Sequence, residues 1–133
     1  MHSTNYTDTL ILPAEDCRVD HATIPNKVGS VALMLYERIA DAPYQLKSDD
    51  LLSTVAALRK DIPEEEHAEF RSEYFSKGQA CLRASPLVKS FGWAVHHDSN
   101  ARIALVDPAS AAFEQLSKDR SIKQVQGMRN KRA

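Results

Sequence analysis

The sequence predicts one α+β domain in which several helices pack on a small, mostly antiparallel sheet. Three observations predict it. Between Ser30 and Gly78, three consecutive segments carry apolar residues at helical spacing. After Gly92 the period falls to two in "WAVHH" and "RIALV", with turn-like "DSNA" between them, the pattern of a β-hairpin. Finally, 133 residues with 43% hydrophobic and 26% charged content suit a single globular body. The predicted domain spans residues 1–133, with about 127–133 as a mobile basic tail.

The elements follow in order. "TLILP" is β-prone and is ended by Pro13, which has no N–H for a ladder. Residues 14–29 show turn residues and no period, so they form an irregular connection. Ser30 is placed to cap a helix that aligns Val31, Met34, Leu35 and Ile39, and Pro43 marks its end. Ser48 is placed to cap the next, where Asp49 and Asp50 suit the positive end and Leu51, Leu52, Val55 and Leu58 form the apolar stripe. A third helix opens at "DIPEEE", with Asp61 as cap, Pro63 in the first turn and Glu64 closing a capping box. Phe70, Tyr74 and Phe75 are expected in the core, and Gly78 is expected to end that helix in a left-handed conformation.

Ser85-Pro86 reads as cap and first residue of a short helix carrying Leu87, Val88 and Phe91, stopped by Gly92. The hairpin comes next. Asp107-Pro108 then opens a helix with Ala109, Ala112, Phe113 and Leu116 on one face. Residues 122–128 fit a strand and a frayed helix equally poorly.

Composition narrows the functional classes. The formal net charge of −1 provides no global field toward nucleic acid or anionic lipid. The longest apolar runs fall far short of the roughly 20 residues of a membrane span, and the first residues lack the basic and apolar regions of a signal peptide. Cys17 and Cys81 form no disulfide framework and have no metal-type spacing. Reduced thiols and a cytoplasmic location are therefore expected.

Four separated motifs stand out: "MHSTNY", "FSKGQACLRASPL", "GWAVH" and "MRNKRA". In these the chain resembles a family of small uncharacterised bacterial proteins, a domain of unknown function. That family's motifs run M-H-T-T-N-Y, F-S-K-G-Q-P-C-L-R-x-S-P-L, G-W-G-I-H and M-R-S-K-R. Ala80 stands where the pattern has proline and Ala94 where it has glycine, departures that touch backbone geometry more than chemistry. The resemblance covers nearly the whole length and implies a bacterial, single-domain protein. It implies no activity.

The chemistry concentrates in Gly78–His97. Cys81 is the candidate nucleophile, with Arg83 nearby and His96 or His97 as base, while the bland reading is a small buried thiol. Metal binding is not expected, because adjacent strand histidines point to opposite faces and no H-x-x-x-H or C-x-x-C occurs. His97 is expected in the core with Trp93 and Val95, and His96 with Ala94 on the other side. "EEEHAE" is explained by a helix start without acid/base work. No glycine-rich phosphate loop occurs, so no cofactor is expected.

Three functional readings remain. The first is a non-enzymatic binding or interaction protein for a small molecule or protein, its cleft lined by Gln79, Arg83, Trp93 and His96 with Cys81 nearby. The second is a weak nucleic-acid binder. There a winged-helix-like order places the Ser85 helix as reader and the hairpin as wing, with Lys89, Arg102, Arg129, Lys131 and Arg132 as further phosphate partners. The third is a thiol-dependent enzyme using Cys81.

Overall fold

A computed structural model describes residues 2–130. Its strands are β1 (Thr9–Leu12), β2 (Ala94–His97), β3 (Ile103–Val106) and β4 (Lys123–Gln126), arranged β3-β2-β1-β4. β2 is antiparallel to both β3 and β1, whereas β4 runs parallel to β1. The sheet is thus mixed but mostly antiparallel, and residues 123–126 are strand. Their pattern was ambiguous because only Val125 is half-buried on an otherwise exposed edge.

Five helices surround the sheet: α1 (Val31–Asp41), α2 (Ser48–Arg59), α3 (His67–Tyr74), α4 (Pro86–Lys89) and α5 (Ala111–Lys118). Strand alternation divides the core in two. On one face Ile11, Val95 and Ile103 join Leu35 and Ile39 of α1, Leu51 and Val55 of α2, Leu87 and Val88 of α4, and Leu82. On the other, Leu10, Ala94 and Val106 meet Phe113 and Leu116 of α5.

Several local signals act as the sequence predicts. Ser30 Oγ accepts from the Leu33 N–H at 3.2 Å, and Pro86 opens α4. Others are reassigned. Ser48 lies inside α2, fully buried, with its hydroxyl 2.8 Å from that of Thr4. Lys47 holds the cap position, and its N–H donates to the Asp50 carboxylate. The third helix begins only at His67, after a 3-10 turn at Glu64–Glu66. Asp61 does not cap it, because that residue turns the chain out of α2 at φ +54°. Gly78 is not left-handed; among the glycines, that conformation belongs to Gly29 and Gly92. Ser110, not Asp107-Pro108, caps α5, because its hydroxyl reaches the Phe113 N–H. Ala109 and Ala112 stay exposed.

The described part of the expected tail, 127–130, is tied down. Gly127 N–H donates to the Leu12 carbonyl, Met128 N–H to that of Arg83, and the Asn130 side chain to that of Lys89. Among the described residues no helix is long and apolar enough to cross a membrane.

Candidate functional site

The predicted cleft residues are not assembled on one wall. Trp93 packs against the α1/α2 core with its ring tilted on Tyr36, and its indole N–H donates to the Thr23 carbonyl at 2.8 Å. His96 lies on the opposite sheet face, opposite Leu10 and Ala104, because strand side chains alternate. Its Nδ1 is 2.8 Å from the Tyr44 hydroxyl. Burial pushes the His96 pKa down, against the fields of Asp98, Asp8 and Asp119. Arg83 Nε donates to the Gln126 carbonyl at 2.7 Å, an irregular turn meeting its backbone acceptors with a guanidinium.

Cys81 does meet distant chemistry, from the N-terminal segment. Residues 2–6 run as a strap along the helical layer. His2 N–H donates to the Phe75 carbonyl, and the His2 ring donates from Nε2 to the Gln79 carbonyl. Ser3 Oγ, Thr4 N–H and Thr4 Oγ1 all donate to the Asp49 carboxylate, at 2.8, 2.6 and 2.7 Å. Burial raises the Asp49 pKa, but these bonds and the Arg71 charge outweigh it and leave the carboxyl below its ordinary value. The strap ends at Tyr6, whose hydroxyl is 3.2 Å from Cys81 Sγ. Burial and the thiol raise the Tyr6 pKa, while Arg83 beside it pulls the other way. The phenol is therefore protonated at neutral pH.

No histidine ring nitrogen is bonded to that thiol. His97 lies beneath Tyr6, ring edge to ring face at 5.3 Å. It is fully buried, and neither ring nitrogen has a hydrogen-bond partner. Burial, with help from His96 and against Asp98, pushes its pKa down to about 4. A neutral imidazole under a phenol ring is a packing element, and the Cys81–His pair required for thiol activation is not formed. Cys17 and Cys81 are both free thiols. Among the described residues no cluster of three or more His, Cys, Asp or Glu has metal-binding geometry.

The basic candidates divide between two ends of the sheet: Met128 N–H and the Asn130 side chain bond to the carbonyls of Arg83 and Lys89, which puts Lys89 beside Arg129 and apart from Arg102. Strand register puts Ile103, His97, Thr9 and Lys123 at one end of the sheet and Val106, Ala94, Leu12 and Gln126 toward the other. Arg102 therefore lies at the opposite end from Arg129. The expected reader helix, α4, buries Leu87 and Val88 completely, and the expected wing is paired into the sheet. Lys131 and Arg132 lie outside the described residues.

One predicted residue does line an open cavity. Gln79 joins Lys60, Phe70, Glu73, Tyr74, Ser76 and Lys77 around a space of about 370 Å³. Phe70 and Tyr74 stack at 6.0 Å with 29° between their planes, and Lys60 Nζ stands 5.6 Å over the Phe70 ring. Gln79 Nε2 donates to the Tyr74 carbonyl, anchoring the loop against α3. Burial, then the Asp49 charge, raise the Tyr74 pKa, so its hydroxyl is neutral and able to donate. Of the three aromatics expected in the core, Phe75 alone is fully buried. Phe70 and Tyr74, four apart, share a different face from Phe75, since one residue turns a helix by about 100°.

Residues 1–133 match a known family along their whole length. The chain belongs to DUF6157, a family of unknown function. No curated protein and no solved structure matches it. All four motifs that carried the resemblance have described residues in the fold. "HSTNY" is the strap, "FSKGQACLRASPL" supplies Phe75, Cys81 and Arg83, and "GWAVH" begins β2. "MRN" closes the β4 end. The strap's role was not readable locally, because Tyr6 and Cys81 lie 75 positions apart.

Proposed function

We propose that this protein is a non-enzymatic binding protein and that its ligand, a small flat anion, enters the cavity beside Gln79. The observation that carries the reading is the stacked Phe70–Tyr74 pair flanked by Lys60 and Lys77 in one 370 Å³ space. Cavities that hold small ligands commonly run from about 300 to 1,000 Å³. Aromatic faces favour a planar ring through offset stacking, and two ammonium groups favour a carboxylate or phosphate over a cation. The neutral Tyr74 hydroxyl and the Gln79 carboxamide add directional polar groups. Glu73, which also lines the cavity, disfavours highly charged anions. A binding role is supported over thiol chemistry because no ring nitrogen engages Cys81. The two free thiols and the motif resemblance support a bacterial, cytoplasmic setting.

The test is amide chemical-shift titration of the ¹⁵N-labelled protein with benzoate, acetate and benzylamine. Benzoate should shift Phe70, Tyr74, Lys77 and Gln79 saturably, and acetate, lacking the ring, should bind about tenfold more weakly. Exchanging both lysines (Lys60→Ala, Lys77→Ala) should abolish the benzoate response. Unmoved resonances around Gln79, or equal binding of benzylamine, would remove the reading.

A further inference from the structure

A second cavity, of about 450 Å³, opens over α2 on the side of α1. It is lined by Arg38 of α1, Thr54 and Leu58 of α2, Ile62 and Glu64 of the connection that follows, and His67 of α3. It thus brings one cation, one anion and the apolar side chains of Leu58 and Ile62 to a single cavity. Among the described residues neither Arg38 nor Glu64 belongs to an ion pair. Arg38 also borders an adjoining concavity containing Glu37 and Asp41, yet forms no ion pair with either.

His67 adds a directional group. Its Nε2 lies 2.9 Å from the Ile62 carbonyl, and a carbonyl only accepts, so Nε2 carries the hydrogen. In the neutral ring Nδ1 is then an acceptor, suited to a ligand N–H. The same bond fixes the ring between the Ile62 turn and α3.

We infer that this furrow is a binding site for a zwitterionic α-amino acid with a branched aliphatic side chain. Arg38 takes the carboxylate through its paired N–H donors. Glu64, helped by His67 Nδ1, takes the ammonium. The aliphatic chain covers Leu58 and Ile62, and Thr54 supplies a lining hydroxyl. A ligand with only one charge leaves the opposite group without its partner, which makes the site selective for the zwitterion. The site is separate from the Gln79 cavity and uses none of its residues.

The experiment uses the whole ¹⁵N-labelled chain and three probes: leucine, 4-methylpentanoate and 3-methylbutylamine. Leucine should shift Thr54, Leu58 and His67 saturably, and the two single-charge analogues should each bind about tenfold more weakly or worse. Arg38→Gln should weaken leucine and the acid while leaving the amine unchanged. Glu64→Gln should weaken leucine and the amine while leaving the acid unchanged. Both substitutions are on the surface, and an unchanged melting temperature verifies folding. The inference is overturned by the absence of saturable shifts up to about 20 mM leucine, by analogues that match leucine, or by folded variants that bind as before. Leucine shifts confined to Lys77 and Gln79 would also overturn it while leaving the Gln79 cavity as a binding site.

Discussion

The sheet face beneath α1, α2 and α4 and the face beneath α5 share the same four strands but differ in depth. The first buries ten apolar side chains from strands, helices and the Leu82 turn. The second buries three, Leu10, Ala94 and Val106, under a helix with no fully buried residue of its own. The adjacent histidines of β2 repeat the contrast. His97, on the deep face, is sealed and neutral without partners, whereas His96, on the shallow face, is half-buried and bonded to Tyr44. Stability therefore resides in the helical layer, and the α5 side is the region that opens first.

The largest effect expected from this difference is in paired truncations. Leu82→Ala on the deep face should cost about 2–5 kcal/mol, the range for a fully buried leucine. Leu116→Ala on the shallow face removes half-buried area and should cost about 1 kcal/mol. Urea denaturation of both variants decides the matter. Equal costs would mean that the faces carry the fold equally.

The second test uses pH. His97 titrates at an ordinary value of 6.5 when unfolded and at about 4 when folded, so the unfolded chain takes up the proton first as pH falls. Stability is complete above about 6.5, declines as pH falls toward 4, and levels off for this group below that. The gap amounts to roughly 3 kcal/mol, since each pKa unit is about 1.4. His96 is also depressed by burial and acts with the same sign. Asp49, whose pKa is lowered, acts in a different window: its stabilisation is present above the ordinary carboxylate value and is lost as pH falls through its folded pKa. His97→Leu should flatten the curve between pH 6.5 and 4 while leaving the acid limb from Asp49. At pH 7 the variant should be near neutral in stability, because no hydrogen bond is lost and two orphan nitrogens leave the core. An unchanged slope would place the titrating group elsewhere.

The contrast between faces was partly written in the sequence. Alternation in "WAVHH" put His97 inward and His96 outward, and helical spacing found Leu35, Ile39, Leu51 and Val55. Local chemistry located α1 through the Ser30 cap and α4 through Pro86 in its first turn, although the Ser85 hydroxyl at the cap position makes no capping bond. What local chemistry could not supply was pairing between distant segments. β4 has one half-buried side chain and is a strand only because β1 offers it backbone partners. Ser48 carries the signature of a cap, yet its hydroxyl is claimed by Thr4, 44 positions away. The site was legible only at its margin. Gln79 was identified, but Lys60, Phe70, Tyr74 and Lys77 were hidden because an aromatic pair at helical spacing reads as core unless the neighbouring face is known to be open. Arg83, Trp93 and His96 were conspicuous for their chemistry and proved to serve the loop, the connection after β1 and Tyr44 respectively.

A third, smaller effect sharpens the seam where β4 joins the deep face. A Cβ on Gly127 would overlap Val88 Cγ1 and sit 2.8 Å from the Leu12 carbonyl oxygen, so Gly127→Ala must displace a central helix or the strand ladder. Its expected cost is about 1–3 kcal/mol, the range for overpacking. Gly78, with open space at its Cβ position and no left-handed φ, is the control. Gly78→Ala should be neutral or stabilising by about 0.4–1 kcal/mol, because it restricts the unfolded chain. Melting temperatures moving in the same direction for both would contradict the close packing of the seam.

The smallest effect belongs to the shallow face and tests whether His96 needs its partner. Tyr44 is held at φ +59°, a left-handed conformation unusual for a bulky residue. Its N–H donates to the Ile103 carbonyl at 2.8 Å. This geometry brings the phenol to His96, with the two rings 5.5 Å apart and 80° between planes. Tyr44→Phe keeps the ring and the backbone bond and removes only the hydroxyl. Because both side chains are reached by water, solvent can replace the missing partner, and the cost should be about 0.5–1 kcal/mol. The His96 ring resonances should move while those of His97 stay fixed, since the two imidazoles face opposite sides of the sheet. A loss as large as that of Leu82→Ala would show that the Tyr44–His96 contact anchors the shallow face, and the division into a deep and a marginal side would fail.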